Sequence, residues 1–314
     1  MKKKKILVIG GCGFIGRNLL EEFAKDRRYS VVVFDRPEAI KAAAKIGSAV
    51  YVPGNFDSRS SLEGIFRRHR IDTVVHLVST TVPASSDGFA MVYDIETNLV
   101  PTVRLLCLME KYKARRIIFA SSGGTVYGPG AGGRAAVSES CATNPICSHG
   151  TVKLAIEKYI QLSSYLHGLE YLILRISNPY GEHHSSRVQG LINVALRNMA
   201  EGRPVRIWGD GRVVRDYIYV KDCVRAVKRL MDAAVSGEIV NVGSGRGHSV
   251  NEVLRMLRKV AGELRVERRP GRKFDVPRVV LNVSRLKALT GFVPTPLEAG
   301  IRKTFEWLSG GGGR

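Results

Sequence analysis

The chain has 314 residues, with 49 Lys and Arg against 28 Asp and Glu (formal charge +21), 44% hydrophobic residues and 33 glycines. That apolar content excludes a disordered chain, and a core of this size needs no disulfide staples. The five cysteines, Cys12, Cys107, Cys141, Cys147 and Cys223, form no CxxC pair, which argues against a zinc site or a disulfide framework and for a reducing, cytoplasmic setting.

The amino end carries four lysines and then Ile6-Leu7-Val8-Ile9. The apolar run is too short for a signal peptide, and no run reaches the ~18 residues of a membrane span. It reads as a first buried strand over 5–9. Further strands are expected over 31–34, 49–52, 73–78, 116–121 and 170–176. Helices are expected between them over 17–25, 98–113 and 150–166. Strands apolar on both faces, separated by helices, indicate an α/β fold with a doubly wound, Rossmann-type parallel sheet. Past residue 176 the alternation weakens, and Pro179, Gly181, Gly209 and Gly211 mark longer loops. This predicts a cofactor-binding domain over 1–176 and a smaller α/β domain, mainly substrate-binding, over 177–314. Part of 212–247 is expected to pack on the first domain. The tail 309–314 reads as a frayed end.

Directly after the first strand comes Gly10-Gly11-Cys12-Gly13-Phe14-Ile15-Gly16. Glycines at 10, 13 and 16 allow a tight turn, a close backbone approach and a helix–sheet contact. The helix after them would aim its first N–H groups at a pyrophosphate. Asp35 follows 19 residues past Gly16, a spacing that suits a carboxylate bonded to an adenosine ribose. Asp35 would repel a 2′-phosphate and so favours NAD, while Arg36 beside it leaves NADP open.

With these stations the sequence resembles the extended short-chain dehydrogenase/reductase family. It is most similar to the NAD-dependent nucleotide-sugar epimerases and dehydratases, with UDP-hexose 4-epimerases as the nearest type. The resemblance continues through 72–77, Asn98, the run Ser121-Ser122-Gly123-Gly124-Thr125-Val126-Tyr127-Gly128, Lys153, residues 175–181, residues 209–220 and residues 272–277. It implies NAD contacts at Gly10, Gly13, Phe14, Ile15, Gly16, Asp35, Arg36, Asn55, Phe56, Leu77, Asn98, Lys153 and Ser177. It implies epimerisation at C4 of a UDP-sugar through transient oxidation to a 4-keto sugar. In that chemistry a Tyr four residues before a Lys takes the hydroxyl proton, and a Ser or Thr on the preceding strand holds the reacting oxygen.

The centre departs from this pattern. The segment reads Cys147-Ser148-His149-Gly150-Thr151-Val152-Lys153, with His149 in the Tyr position. Gly123 stands in the usual Ser position, and Thr125 is the hydroxyl nearby. Spacing of four sets His149 and Lys153 on one helix face. A neutral imidazole can accept a proton, so His149, Lys153 and Thr125 are the catalytic candidates. The alternatives are an NAD(P)-dependent nucleotide-sugar reductase or dehydrogenase, and a degenerate protein that only binds the cofactor. Dehydratase chemistry is disfavoured, because Gly124 and Thr125 stand where the family's acid pair would be.

On the substrate side the resemblance implies Arg215 and Arg272 at the diphosphate, Asp275 near the ribose, and Asn178 and Thr125 at the substrate. Val279 implies room for an N-acetyl group, so both UDP-Glc/Gal and UDP-GlcNAc/GalNAc are admitted. Trp208 lies beside the segment that, by the resemblance, cradles uracil; it reads as core packing, with stacking as the alternative, and His183-His184 read as a solvated loop rather than a metal site. The family's counterparts of the helices at 98–113 and 150–166 imply a homodimer. Six basic residues fall within 265–278, including Arg272, where they would attract an anionic substrate. No helix-turn-helix, zinc-finger or aromatic RNA-reading signature supports a nucleic-acid partner, and none indicates a membrane.

Overall fold

A computed structural model describes residues 3–81, 88–131, 135–271 and 276–312. Six strands come first: β1 (Lys4–Ile9), β2 (Tyr29–Asp35), β3 (Val50–Pro53), β4 (Thr73–His76), β5 (Arg116–Ser122) and β6 (Glu170–Ile176). Between and before them run α1 (Phe14–Ala24), α2 (Pro37–Ala42), α3 (Arg59–Arg68), α4 (Gly88–Asp94), α5 (Val100–Lys111) and α6 (Ser148–His167). Later come β7 (Asn178–Tyr180), α7 (Leu191–Ala200), β8 (Val205–Trp208), β9 (Val214–Tyr219), α8 (Val220–Asp232) and β10 (Glu238–Val242). The chain closes with β11 (Gly247–Ser249), α9 (Val250–Ala261), β12 (Val266–Arg269), β13 (Arg278–Val279), α10 (Ser284–Thr290) and α11 (Leu297–Trp307).

Seven strands form one parallel sheet in the order β10-β6-β5-β4-β1-β2-β3. Both faces are covered, so successive side chains of one strand enter different cores. Ile6 and Val8 of β1 join one core with Leu19 and Phe23 of α1 and Val224 and Val227 of α8. Leu7 and Ile9 join the other, with Leu62 of α3, Leu105 of α5 and Ile156 of α6. The chain moves outward from β1 to β2 and β3, then returns to β4 on the other side. That reversal opens a crevice at the carboxyl ends of β1 and β4, where ligands of open α/β sheets bind.

Residues after 176 divide between two places. β10 pairs with β6 in the large sheet, and α8 packs on α1. The remainder forms a lobe around Tyr180, Ile192, Leu196, Val205, Tyr217, Leu254 and Ile301, held by the β7–β9–β11–β13 pairings and by β8 with β12. The basic stretch is partly strand, since Arg268 and Arg269 lie in β12 opposite Ile207 and Trp208. The tail carries α11 on into Leu308–Gly312, where the helix breaks at Gly311 (φ +84°).

One buried ion pair ties α6 to the sheet. Arg175 on β6 donates to Glu157 on α6 through Nη2 at 2.7 Å and Nε at 3.1 Å. The Ser121 hydroxyl on β5 donates to the same carboxylate. The guanidinium lies 4.8 Å from the Tyr127 ring centroid, and the Tyr127 hydroxyl donates to Asn241 on β10 at 2.7 Å. Removing one partner of such a pair leaves an uncompensated buried charge. Glu157→Ala is therefore expected to lower stability by about 3–5 kcal/mol in urea unfolding. A loss under about 1 kcal/mol would show that the pair does not carry this seam.

Candidate active site

The loop after β1 is built for close approach. Gly10 has φ +83°, a conformation that favours glycine, and its N–H donates to the Phe34 carbonyl at 2.9 Å. A Cβ on Gly16 would lie 2.5 Å from the Gly10 oxygen and 2.6 Å from the Gly11 Cα. The first turn of α1 therefore rests directly on the loop. Its N-cap, Gly13, supplies no side-chain cap, and the first helical bond runs from Arg17 N to Gly13 O at 2.9 Å. The N–H groups of Phe14, Ile15 and Gly16 thus stand at an open helix end that attracts an anion. The rings and alkyl groups of Phe14 and Ile15 pack inward instead.

Asp35, at the end of β2, accepts from Cys12 N at 2.9 Å and from Arg36 N at 2.8 Å. Burial and the Asp35 charge push the Cys12 thiol up to about 11, so it stays protonated and unreactive.

A cleft of about 900 Å³ opens over this loop, within the range of small-ligand sites. Gly10, Gly13, Asp35, Arg36, Asn55, Phe56 and Leu77 all line it. The β4 strand ends at His76, one residue before Leu77, so Leu77 and Val78 leave the sheet and face the cleft. Arg17 also lines it, with a buried Nε that has no hydrogen-bond partner among the described residues. The glycine cradle, the open helix end, Arg17 and Asp35 together fit a dinucleotide, with pyrophosphate over the loop and adenosine ribose at Asp35.

Asn98 does not line the cleft. It is buried in a π-helical turn, where its Oδ1 accepts from Thr80 N at 3.0 Å and its Nδ2 donates to Asp94 Oδ1 at 2.9 Å. It shapes the 78–81 loop, of which Val78, Ser79 and Thr80 line the cleft. Ser177 donates its N–H to Val242 O at 2.9 Å, and its hydroxyl oxygen is buried without a partner among the described residues.

The helix holding His149 begins two residues earlier than expected, at Ser148. His149 is 9% exposed. Burial, reinforced by the Lys153 ammonium, pushes its pKa down to about 3, while a backbone hydrogen bond to Thr81 acts the other way. It is neutral at neutral pH. Lys153, one turn on, is 5% exposed. Burial lowers it to about 8, and Asp94 and Glu157 oppose that shift. Its Nζ donates to Ala120 O at 2.9 Å and to Val78 O at 3.4 Å. It therefore sits where β4 and β5 end.

The Gly123 position has no room for the serine of the resemblance. A Cβ there would lie 2.6 Å from Leu281 Cδ1 and 2.9 Å from Arg175 O. Thr125 lies next to α6, since a Cβ on Gly150 would come within 2.6 Å of its carbonyl. The Thr125 hydroxyl is buried with no hydrogen-bond partner among the described residues. A buried orphan hydroxyl is costly unless a ligand atom satisfies it.

On the substrate side, Arg215 on β9 donates Nη1 to Val276 O at 2.6 Å. Val279 pairs with it across β13 and is buried. Asn178 donates its amide to Asp216 O at 2.8 Å. Arg272 and Asp275 lie outside the described residues. Trp208 is 39% exposed, which overturns the core-packing reading, because β8 alternates inward Val205 and Ile207 with outward Arg206 and Trp208. The solvated reading of His183-His184 is also corrected. His183 bonds Glu21 at 2.7 Å, the His184 ring meets Phe14 edge-on at 4.8 Å, and both line the cleft. Among the described residues no group of three or more His, Cys, Asp or Glu could hold a metal, and no helix is long and apolar enough to cross a membrane.

Sequence reasoning missed Arg17, Thr80, His183, Arg187, Arg197 and Trp307, all of which line the cleft. Arg17 alone had a signal, as a cation in the turn after the glycine loop. The others arrive from distant segments.

The model of the NAD dependent epimerase/dehydratase family matches residues 6–243. A putative UDP-glucose 4-epimerase of Methanocaldococcus jannaschii is 31% identical, over 96% of this chain and 98% of its own. A dTDP-4-dehydro-6-deoxyglucose reductase of Escherichia coli is also 31% identical, over 97% and 98%. The crystal structure of a Thermotoga maritima UDP-glucose 4-epimerase with UDP-glucose superposes with a TM-score of 0.88 at 31% identity, over 98% of this chain and 99% of that one. With its glycine cradle, Asp35 and buried Lys153 at the switch point of the sheet, the chain belongs to the NAD-dependent epimerase/dehydratase family.

Proposed function

We propose that this chain is an NAD-dependent nucleotide-sugar 4-epimerase acting on a UDP-linked hexose, with His149 as its proton-transfer residue. The observation that carries the reading is the convergence of a buried neutral imidazole, a buried lysine and an orphan hydroxyl beside the carboxyl ends of β4 and β5.

NAD, when bound, supplies the two-electron oxidation and re-reduction at the sugar carbon. Gly10, Gly13 and the N–H groups opening α1 would hold its pyrophosphate, Asp35 its adenosine ribose, and Lys153 its second ribose. The Thr125 hydroxyl donates to the reacting sugar oxygen. His149 takes the proton from that oxygen as the carbonyl forms and returns it when the carbonyl is reduced. Arg215, with Arg272 from the sequence, suits the diphosphate through paired charge-assisted bonds. Asp275 and Asn178 complete the nucleotide side, and Val279 leaves the C2 substituent open. Gly124 and Thr125 provide no acid–base pair for eliminating water, so the reaction stays at C4. Such a protein works in the cytoplasm, where cofactor and nucleotide sugar are both present.

A homodimer is part of the proposal. The outer faces of α4 and α6 expose Phe89, Met91, Val92, Tyr159, Leu162, Tyr165 and Leu166. Exposed apolar residues in that number mark a contact surface. The helices pack on each other, so the patch is continuous. Tyr165→Glu with Leu162→Glu is expected to convert the protein to monomer in light scattering. A wild-type mass for that variant would remove this face as the interface.

His149→Phe is expected to lower kcat by about 10²–10⁴ while NAD remains bound on purification. Activity within about threefold of wild type would end the base assignment.

The pH profile has a definite sign. His149 acts only when neutral, so activity is lost as pH falls through its depressed pKa of about 3. Lys153 acts only when charged, so activity is lost as pH rises through about 8. Turnover is therefore expected to be flat across weakly acid and neutral pH and to fall above. An acid limb near the ordinary ~6.5 of histidine would mean that His149 is not in this environment.

A further inference from the structure

We propose that Asp94 is the positioning residue of this site, fixing through Ser148 and Thr81 the two segments that flank His149 and giving Lys153 its counter-charge. The inference rests on the reading of His149 as the proton-transfer residue.

Asp94 ends α4 and is 1% exposed. Its Oδ2 accepts from the Ser148 hydroxyl at 3.0 Å. Its Oδ1 accepts from the Thr81 hydroxyl at 2.9 Å and from Asn98 Nδ2 at 2.9 Å. Ser148 precedes His149 on α6, and the Thr81 backbone is the group bonded to the His149 ring. One carboxylate thus joins the helix that carries the imidazole to the loop that orients it. A base works only when its lone pair is held toward the proton it takes, and a third group that sets the ring does that work.

The charge matters as much as the geometry. A tyrosine base is anionic in its reactive form and balances a neighbouring ammonium. A histidine base is neutral at rest and becomes a cation when it takes the proton. Here that cation forms beside Lys153 in a buried site, where like charges repel strongly. The groups facing Lys153 can be taken element by element. On its own helix are His149 and Glu157. Glu157 is committed to Arg175 of β6. On β4 is His76, held neutral by burial and by Lys153 itself. From α4 comes Asp94, the foremost of the charges that favour the ammonium. The Asp94 partners are neutral groups, so its charge is available to Lys153.

Asp94→Asn keeps the shape and can still bond Thr81 and Ser148, but removes the charge. It is expected to lower kcat about tenfold, leave KM for UDP-glucose within about twofold, and move the basic limb of the pH profile down by about one unit. Asp94→Glu, which restores the charge, is expected to return that limb toward wild type. Ser148→Ala is expected to lower kcat about threefold or more with the limb unmoved, because only the positioning link is lost. A wild-type kcat and profile in Asp94→Asn would overturn the inference. So would a loss of activity that follows thermal stability alone, with the limb unmoved. Should Asp94→Asn fail to fold, a wild-type kcat in Ser148→Ala overturns it equally. His149→Phe keeps the two readings apart. Full activity in that variant ends the base assignment, whereas an inactive His149→Phe beside a wild-type Asp94→Asn ends only this inference.

Discussion

The placement of α6 against the sheet depends on the buried contact between Glu157, Arg175 and Ser121. Lys153 lies one turn before Glu157 and His149 one turn before Lys153, so the contact sets the rotation of the helix under all three. A carboxylate and a guanidinium buried together admit few geometries, because each remaining lone pair and proton needs a partner. Ser121, Tyr127 and Asn241 contribute to that network from β5, the loop after it and β10. The segment of α6 that carries His149 and Lys153 is therefore held in one orientation against β5 and β6.

Close packing also explains why the centre departs from the family pattern. Leu281 and the Arg175 carbonyl fill the space where a serine at 123 would stand. The hydroxyl nearby is that of Thr125, whose oxygen is buried and unsatisfied among the described residues. Next to it, a buried imidazole stands beside a buried ammonium, and the buried carboxylate of Asp94 on α4 is bonded to the two segments that flank the imidazole.

Much of this was legible in the sequence because it is local. The glycine loop, Asp35 and the parallel strands follow from backbone requirements and from apolar runs that no other fold class explains as well. His149 and Lys153 share a face because a helix has a fixed repeat. What was not legible depends on contacts between distant segments. Asn98 organises the loop at 78–81 through Thr80 and Asp94, a role that its place in the sequence does not show. Asp94 reaches Ser148 and Thr81 from a separate helix, a contact that no local spacing reveals. His183 and Trp307 meet at 5.2 Å between ring centroids, though more than a hundred residues separate them, and no spacing rule reaches that far. Trp208 was misread because an aromatic residue beside buried Ile207 looks like core until the strand's alternation is known.

The large positive charge takes on a clearer shape in three dimensions. Arg17, Arg36, Arg187 and Arg197 line one cleft, around a helix end that already favours anions. A dinucleotide and a nucleotide sugar each bring a diphosphate, so a surface of this sign raises their local concentration and speeds their encounter. Elsewhere the charge is partly neutralised in exposed pairs such as Arg206 with Glu267 and Arg285 with Glu238. Those pairs add little stability and weaken further in salt. The basic excess therefore acts on encounter and solubility, while the fold rests on its two apolar cores and on the few charges buried between them.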